Sequence, residues 1–440
     1  MTNYSLHSPQ LVRRILASGL IGNILETYDL ILISLMTTTL SKAFFPPSTA
    51  PNENILNILY VFLICLLVRP IGNIIMGIFA DKYGRKKLMI LSLIFTGIGT
   101  ILIGLLPTYS LIGVWSTVLF IILRIAQNFF AGIEYINSAA YLRESSSNNT
   151  CGYYTSWTAI GICGGYLLAS IISLLISILI SNKILPSWGW RMSFLFSIFG
   201  IAFGVWLRKN IPESITYILN HANTEKINKY EILINSVNYI IKHPGLCLSI
   251  STLTLMGSFL TYIYYIYIPI NLITTRHFSQ IEVYSLNSAC LFIIVLLIPF
   301  FGIISDYLNK IILLKFNCGI VLICALPFFW LCSYGTYTEI VLITTIISIP
   351  ASCFFSLYPA IITEYFPSKI RCTAASIIYQ LIVSIVMGTL PLFILYFINI
   401  TNIPYFPGYL LMISALIGYL GLIYLENPLI TPILTPDSAL

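Results

Sequence analysis

Charge is scarce in this chain: only 8% of its 440 residues are Asp, Glu, Lys or Arg, where soluble domains carry about 25%. So few charges cannot keep a surface of this size in water. A soluble enzyme, a nucleic-acid binder and a disordered scaffold are therefore excluded. Histidine is scarcer still, and His7, His221, His243 and His277 all lie outside the apolar runs. That sets aside a His metal site and an intramembrane His proton relay. None of the ten Cys forms a CxxC pair, and most (Cys65, Cys163, Cys290, Cys324 and Cys353 among them) sit inside apolar runs as small hydrophobes. No GxxxxGK[ST] occurs, so an ATP-driven motor within the chain is not expected. With no nucleophile–base set and no ligand cluster, neither enzymatic activity, a cofactor nor a metal is expected.

What fills the chain is apolar: 58% of residues are hydrophobic and the mean hydropathy is +0.93. Windows of roughly 20 apolar residues, each enough to cross a ~30 Å hydrocarbon core, recur at 15–38, 55–80, 88–108, 111–135, 152–181, 190–208, 246–271, 283–304, 311–333, 340–363, 373–398 and 406–425. The expectation is an all-α polytopic membrane protein of twelve transmembrane helices. The first run, with Arg13 and Arg14 ahead of it and no small-residue cleavage site behind, reads as a retained helix, not a signal peptide. Placing the N-terminus in the cytoplasm leaves 16 Lys and Arg on inside loops and tails and only Lys42, Lys183, Arg191 and Arg276 outside. The positive-inside rule then predicts that both termini are cytoplasmic.

The longest connection predicts three parts: a six-helix half over 1–208, a cytoplasmic linker over 209–245 and a second six-helix half over 246–440. Within the linker, Ile227, Tyr230, Ile234, Val237 and Ile241 repeat at helical spacing, with Lys226, Lys229, Glu231, Asn235, Asn238 and Lys242 largely opposite. This predicts an amphipathic helix on the membrane surface or against the bundle ends. Gly77-Ile-Phe-Ala-Asp81 is echoed by Gly302-Ile-Ile-Ser-Asp306, and Ala140-Tyr-Leu-Arg-Glu144 by Ala360-Ile-Ile-Thr-Glu364. Two related halves flanking a midplane site is a common build for secondary transporters.

The sharpest motif is Gly77-Ile-Phe-Ala-Asp81-Lys-Tyr-Gly84-Arg85-Lys86-Lys87, between the second and third runs. It resembles the GxxxDxxGRR/K signature of the major facilitator superfamily. Gly77 suits close helix contact and Gly84 a turn of the chain. Asp81 can pair with Arg85 or sit at the positive N-terminus of a neighbouring helix. More of the chain is similar to one branch, the metabolite:H⁺ symporters that include proline/betaine transporters. The similarity is carried by Gly22-Asn-Ile-Leu-Glu26-Thr-Tyr28-Asp29, Arg69-Pro70-Ile-Gly72, Arg124 through Gln127 to Gly132-Ile-Glu134, Trp188-Gly-Trp190-Arg191, Pro212-Glu213-Ser214 and Glu364-Tyr-Phe366-Pro367-Ser-Lys-Ile-Arg371. Departures are Thr27, Asn128, Ile133, Cys151 where an Arg usually precedes Gly152, and Asn309-Lys310 in the second loop motif. About 15 residues follow the last run without a coiled coil, so osmosensing through such a tail is not expected.

The resemblance implies a cytoplasmic gate that holds the halves together, drawn from Gly77, Asp81, Gly84, Arg85, Glu134, Glu144, Asp306, Glu364 and Arg371. Glu134 is expected to partner Arg85. A mid-bilayer charge costs roughly 2.5–3.5 kcal/mol on insertion scales, so Glu26, Asp29, Arg69, Arg124 and Glu134 are functional candidates. Asp29 and Glu26, three residues apart on one helix face, are assigned to proton coupling. Arg124, Arg69, Gln127 and Tyr28 are assigned to substrate, with the alternatives that Arg124 answers the coupling carboxylate and that Arg69 caps a network in the inner half. On the boundaries above, Asp29 and Arg124 differ in depth by ~10 Å, and shifting each boundary inward nearly closes that gap. The alternative for the pair is a static ion pair. Tyr262, Tyr264, Tyr265 and Tyr267 suggest an aromatic cage, but an outer aromatic belt, or simply the general enrichment of a chain with 29 Tyr, is the favoured reading.

The expected function is a proton symporter importing a small polar metabolite, first a zwitterionic osmolyte such as proline or betaine. A mono- or dicarboxylate comes second, and a non-transporting sensor third. The expected partners are a small-molecule substrate, protons and the lipid bilayer of a bacterial inner membrane, with no nucleic acid and a monomeric chain.

Overall fold

A computed structural model describes residues 9–46, 51–147, 149–214 and 229–426. Among these the regular structure is helical, and 12 stretches are long and apolar enough to cross a membrane. They are Gln10–Leu35, Leu63–Tyr83, Arg85–Leu105, Val114–Glu144, Cys151–Ser181 and Ser187–Lys209, then Pro244–Thr274, Gln280–Tyr307, Lys310–Tyr334, Tyr337–Glu364, Arg371–Thr401 and Phe406–Leu425, called spans 1 to 12 below. Each expected apolar run meets one of them. Unbroken hydrophobicity favours helix here because, in hydrocarbon, every backbone N–H and C=O must be satisfied within its own segment.

Span 5 packs along spans 1 and 8, and span 2 along span 11. The two halves therefore meet over the full depth of the bundle. Spans 3, 6, 9 and 12 present apolar side chains outward, among them Phe95, Phe199, Phe316 and Leu420. Polar side chains gather inside: Asn23, Asn73, Ser138, Thr155 and Gln380 are all buried. This inversion of the soluble pattern is what a lipid solvent demands, since an isolated polar group facing hydrocarbon costs several kcal/mol.

Span 4 differs from its expected extent of 111–135. It breaks at Ala131–Gly132 and resumes as a second helix, Ile133–Glu144. The break lies at Gly132, whose φ of +87° is left-handed and open to glycine at no steric cost. The polar segment beyond it stays helical because every residue from Ile133 to Leu142 is buried within the bundle.

Between spans 6 and 7 the helix Lys229–Lys242 lies across the bundle end, packed on both span 2 and span 11. Lys226 and Ile227, read into the same amphipathic helix, fall outside the described residues. The tyrosines of span 7 do not form a belt. Tyr262, Tyr264 and Tyr265 are buried, and the local π-turn Ile263–Tyr267 rotates their rings into the protein. Tyr264 reaches Ser348 and the carbonyl of Thr344, and Tyr265 lies against Tyr166 and Cys163.

Candidate functional site: a cavity between the halves and a lock at its basic end

A cavity of about 100 Å³ lies midway along the bundle, walled by spans 1, 2, 4 and 5 of the first half and spans 7, 10 and 11 of the second. Its charged wall residues are Glu26 and Arg69, of opposite sign. Aromatic rings close much of the rest: Tyr135, Tyr166, Phe354, Tyr358 and Tyr379. Three of these converge from both halves. The Tyr135 ring stands 4.9 Å from Tyr379 and 6.3 Å from Tyr358, and those two are 6.3 Å apart. Ring faces grouped at such distances attract a cation through their quadrupoles.

The break in span 4 builds one side of this cavity. Freed from a helical partner, the Gly132 N–H donates to Glu26 Oε1 at 2.6 Å, so the positive end of a half-helix aims at a carboxylate. Arg69 Nη2 stands 3.8 Å from the same oxygen, and its Nε donates to Asn128 Oδ1 at 2.8 Å. Glu26 Oε2 is buried with no hydrogen-bond partner in the structure. Such an atom forfeits a hydrogen bond and is open to a proton or a bound cation. Beside it, Asn73 Nδ2 donates to Gln380 Oε1 at 2.9 Å, a hydrogen bond that ties span 2 to span 11 at the cavity wall.

Asp29 lies elsewhere. It is three residues from Glu26 but absent from the cavity wall. Its Oδ1 accepts from Thr100 Oγ1 at 2.9 Å. Its Oδ2 accepts from Arg124 Nη1 at 3.0 Å and Gln127 Nε2 at 3.2 Å. The depth gap inferred from run boundaries thus closes to contact. Arg124, Gln127 and Tyr28, assigned to substrate from sequence, do not line the cavity either. Arg124 and Gln127 are buried around Asp29, and the Tyr28 hydroxyl donates to the carbonyl of Ser193 at 2.6 Å. Of the four residues assigned to substrate, the structure places Arg69 alone on the cavity wall. The aromatic lining went unread because Tyr135, Tyr166, Tyr358 and Tyr379 are four of 29 Tyr, with no spacing to join them.

At the basic end the halves are locked crosswise. Asp81, at the end of span 2, accepts from the Thr373 hydroxyl at 2.6 Å and from the backbone N–H groups of Thr373 and Cys372 at 2.8 and 3.3 Å. It also pairs with Arg85 at 3.1 Å. Both alternatives read from sequence, an arginine partner and a helix N-terminus, are thus realised together. Gly77 permits this approach, since a Cβ there would stand 3.0 Å from Thr373 Cα. Gly84 turns the chain between spans 2 and 3 with φ +105°. Glu144 is buried between Arg85 at 3.2 Å and Arg371 at 2.9 Å.

The second half repeats the device. Asp306 accepts from the N–H groups of Gly152 and Tyr153 at 2.6 and 2.9 Å, at the start of span 5. Glu364 pairs with Lys310 at 3.1 Å and with Arg143 at 3.9 Å. Aligning the two docked helix ends sets Cys151 opposite Arg371. Arg143 donates to Cys151 Sγ at 3.2 Å and so brings to that place the cation that position 151 lacks. Lys310, four residues past Asp306 as Arg85 is past Asp81, supplies the other. One expected partnership is corrected. Glu134 does not meet Arg85; it pairs with Arg208 and accepts from Ser92 at 2.7 Å. Because span 4 runs ten residues beyond Glu134, that residue lies inside the bundle, and Glu144 is the one level with Arg85.

Among solved structures, the fold is similar to that of the proton:xylose symporter XylE bound to 6-bromo-6-deoxy-D-glucose, with a TM-score of 0.73 at 17% identity over 95% of this chain and 96% of that one. Among curated proteins, the chain is 25% identical over 426 residues to the glycine betaine/proline/ectoine/pipecolic acid transporter OusA of Dickeya dadantii (strain 3937), covering 94% of this chain and 83% of the relative. It is also 25% identical over 412 residues to the proline/betaine transporter of Escherichia coli (strain K12), covering 92% and 82%. The profile of the Major Facilitator Superfamily matches residues 28–391. A twelve-span bundle of two halves, each docking an aspartate from the end of its second span onto a helix end of the other, is thus matched by its sequence: this multi-pass integral membrane protein belongs to the Major Facilitator Superfamily.

Proposed function

We propose that the protein is a proton-coupled secondary transporter that imports a small zwitterion of the proline or betaine kind by alternating access. The observation that carries this reading is the cavity itself. A zwitterion brings one positive and one negative end, and the wall offers Glu26 with a tyrosine cage for the first and Arg69 for the second. A dicarboxylate would leave Glu26 facing a like charge. The relatives named as transporters of proline and betaines support the same class.

In this scheme the basic end is cytoplasmic, so 1–208 and 246–440 rock about the cavity while 209–245 links them inside. The crosswise lock is the cytoplasmic gate, closed in the state described. Asp29, with Arg124 and Gln127, handles the proton. Glu26 belongs to the substrate. The chain works in the inner membrane of a bacterium and is sufficient as one copy, since both halves of the cavity come from one chain.

The test is a substrate panel on purified protein. A zwitterion at 100 times its Kd raises stability by about 2.7 kcal/mol, whereas the matching amine and the matching carboxylate alone should give little. Tyr379→Leu should weaken binding of a quaternary ammonium zwitterion by about 1–2 kcal/mol, while Tyr379→Phe keeps it. Equal stabilisation by a plain carboxylate would overturn the zwitterion assignment.

A further inference from the structure

The helix Lys229–Lys242 has three faces where two would suffice. At 100° per residue, Lys229, Ile232, Leu233, Ser236, Tyr239 and Ile240 form one face, and it is docked. Ile232 and Ser236 are buried. Lys229 Nζ lies 4.3 Å from the Phe79 ring of span 2, and the Tyr239 hydroxyl donates to the carbonyl of Tyr365, ahead of span 11, at 2.8 Å. Roughly 130° away runs the apolar stripe that the sequence sets on the membrane surface or against the bundle ends, and Tyr230, Ile234, Val237 and Ile241 are 73%, 56%, 39% and 69% exposed. A further ~100° on come Glu231, Asn235, Asn238 and Lys242, exposed and polar.

A docked face, an apolar face and a polar face at nearly equal angles fit a helix lying where protein, hydrocarbon and water meet. The location agrees. A single residue, His243, separates the helix from Pro244, where span 7 enters the bilayer. Lys229 is also 5.7 Å from the ring of Tyr83, itself 40% exposed at the end of span 2, so the stripe begins, at Tyr230, beside an exposed aromatic ring at the end of a membrane span. We infer that this helix is seated by its Tyr230–Ile234–Val237–Ile241 stripe in the cytoplasmic lipid leaflet, and that from this seat it straps the cytoplasmic ends of spans 2 and 11 together across the gate. The lipid anchors a bridge that touches Phe79, two residues before Asp81, and Tyr365, six before Arg371. Parting the gate must strip one end of the bridge from its seat. The lipid contact thereby favours the gate-closed state. This rests on the gate reading above, and the experiment separates the two.

Nine of the ten cysteines are buried and Cys324 is partly so, so an introduced surface thiol can be labelled selectively. Ile234→Cys, Ile241→Cys, Asn235→Cys and Asn238→Cys would each carry an environment-sensitive fluorophore in phosphatidylcholine–phosphatidylglycerol vesicles doped with spin-labelled phosphatidylcholine. The two stripe positions should lose roughly half their emission to the lipid quencher and the two polar positions little. Equal quenching of all four, or none, would overturn the lipid seat, the second case pointing to a protein cover such as a second copy.

Cys372 reports the gate. It is 0% exposed, with its N–H on Asp81. Its modification by an impermeant thiol reagent, followed by peptide mass spectrometry in inside-out vesicles, should be roughly threefold faster in Ile234→Asn/Ile241→Asn than in the parent chain, as the closed population falls. Buried Cys318 should stay silent, which excludes unfolding. If Asp81→Asn accelerates Cys372 and the stripe variant does not, the strap is wrong; if neither does, the gate reading falls and the strap with it.

Discussion

Two carboxylates three residues apart on one helix have different surroundings, and the roles proposed for them differ accordingly. Asp29 has both oxygens answered, by Thr100, Arg124 and Gln127, and does not line the cavity. Glu26 has one oxygen held by the broken end of span 4 and the other vacant. Sequence could place both on one face by spacing, and that spacing suggested a shared role. It could not show that span 4 breaks between them, because the break is carried by the backbone of Gly132. Asp29→Asn keeps the size of the side chain and removes its charge. Uphill uptake driven by an imposed pH gradient in proteoliposomes should be abolished, while substrate exchange across the membrane persists, since exchange needs no proton release. Glu26→Gln should instead weaken binding by roughly tenfold or more, ~1.4 kcal/mol, and lower exchange and uphill uptake alike. Concentrative uptake by Asp29→Asn would exclude Asp29 as the coupling site.

The span is the scale at which the sequence was most legible and also where it misled. All twelve runs became helices, because hydrocarbon leaves a long apolar segment no other way to satisfy its backbone. The ends of span 4 were misjudged for a related reason. Hydropathy falls after residue 135, yet a polar helix persists to Glu144 in the shelter of its neighbours. The same shelter hid the partner of Glu134, which is Arg208 of span 6, 74 residues away with no pattern joining the two. Gly132→Ala tests the broken span directly. Left-handed backbone costs a residue with a Cβ roughly 1–2 kcal/mol, and the added carbon would stand 2.8 Å from Asn73 Nδ2 and 3.0 Å from Gln380 Oε1. Transport should collapse along with a lower melting temperature. Gly113→Ala is the control: its φ is also positive, at +58°, but nothing lies within 4 Å. It should lose only what the backbone conformation costs and keep its transport. Equal transport by both would mean that the break at Gly132 does not shape the cavity.

Across the whole molecule the lock is doubled but not symmetric. Glu144 is buried between two arginines, whereas the Glu364 side chain is 37% exposed and holds a lysine and a more distant arginine. Breaking a buried pair by removing one partner costs about 3–5 kcal/mol, while exposed pairs are worth ~0–1 kcal/mol. Glu144→Gln should therefore open the gate far more than Glu364→Gln, read as the rate of Cys372 modification from the cytoplasmic side. Added salt should erase what remains of the Glu364 contribution and leave that of Glu144 largely intact. Comparable rates in the two variants would show that burial does not set their rank. The unequal lock also bears on the exchange of halves between related carriers. Arg143 belongs to the first half but serves Glu364 of the second, from a position eight residues ahead of the Cys151 that it compensates. A chimera that grafts this second half onto a foreign first half inherits a glutamate that keeps Lys310 but loses its partner across the halves, unless the donor brings its own arginine to the start of span 5. Compatibility between such halves is thus written in a handful of crossing charges, and a hybrid that folds can still fail to shut.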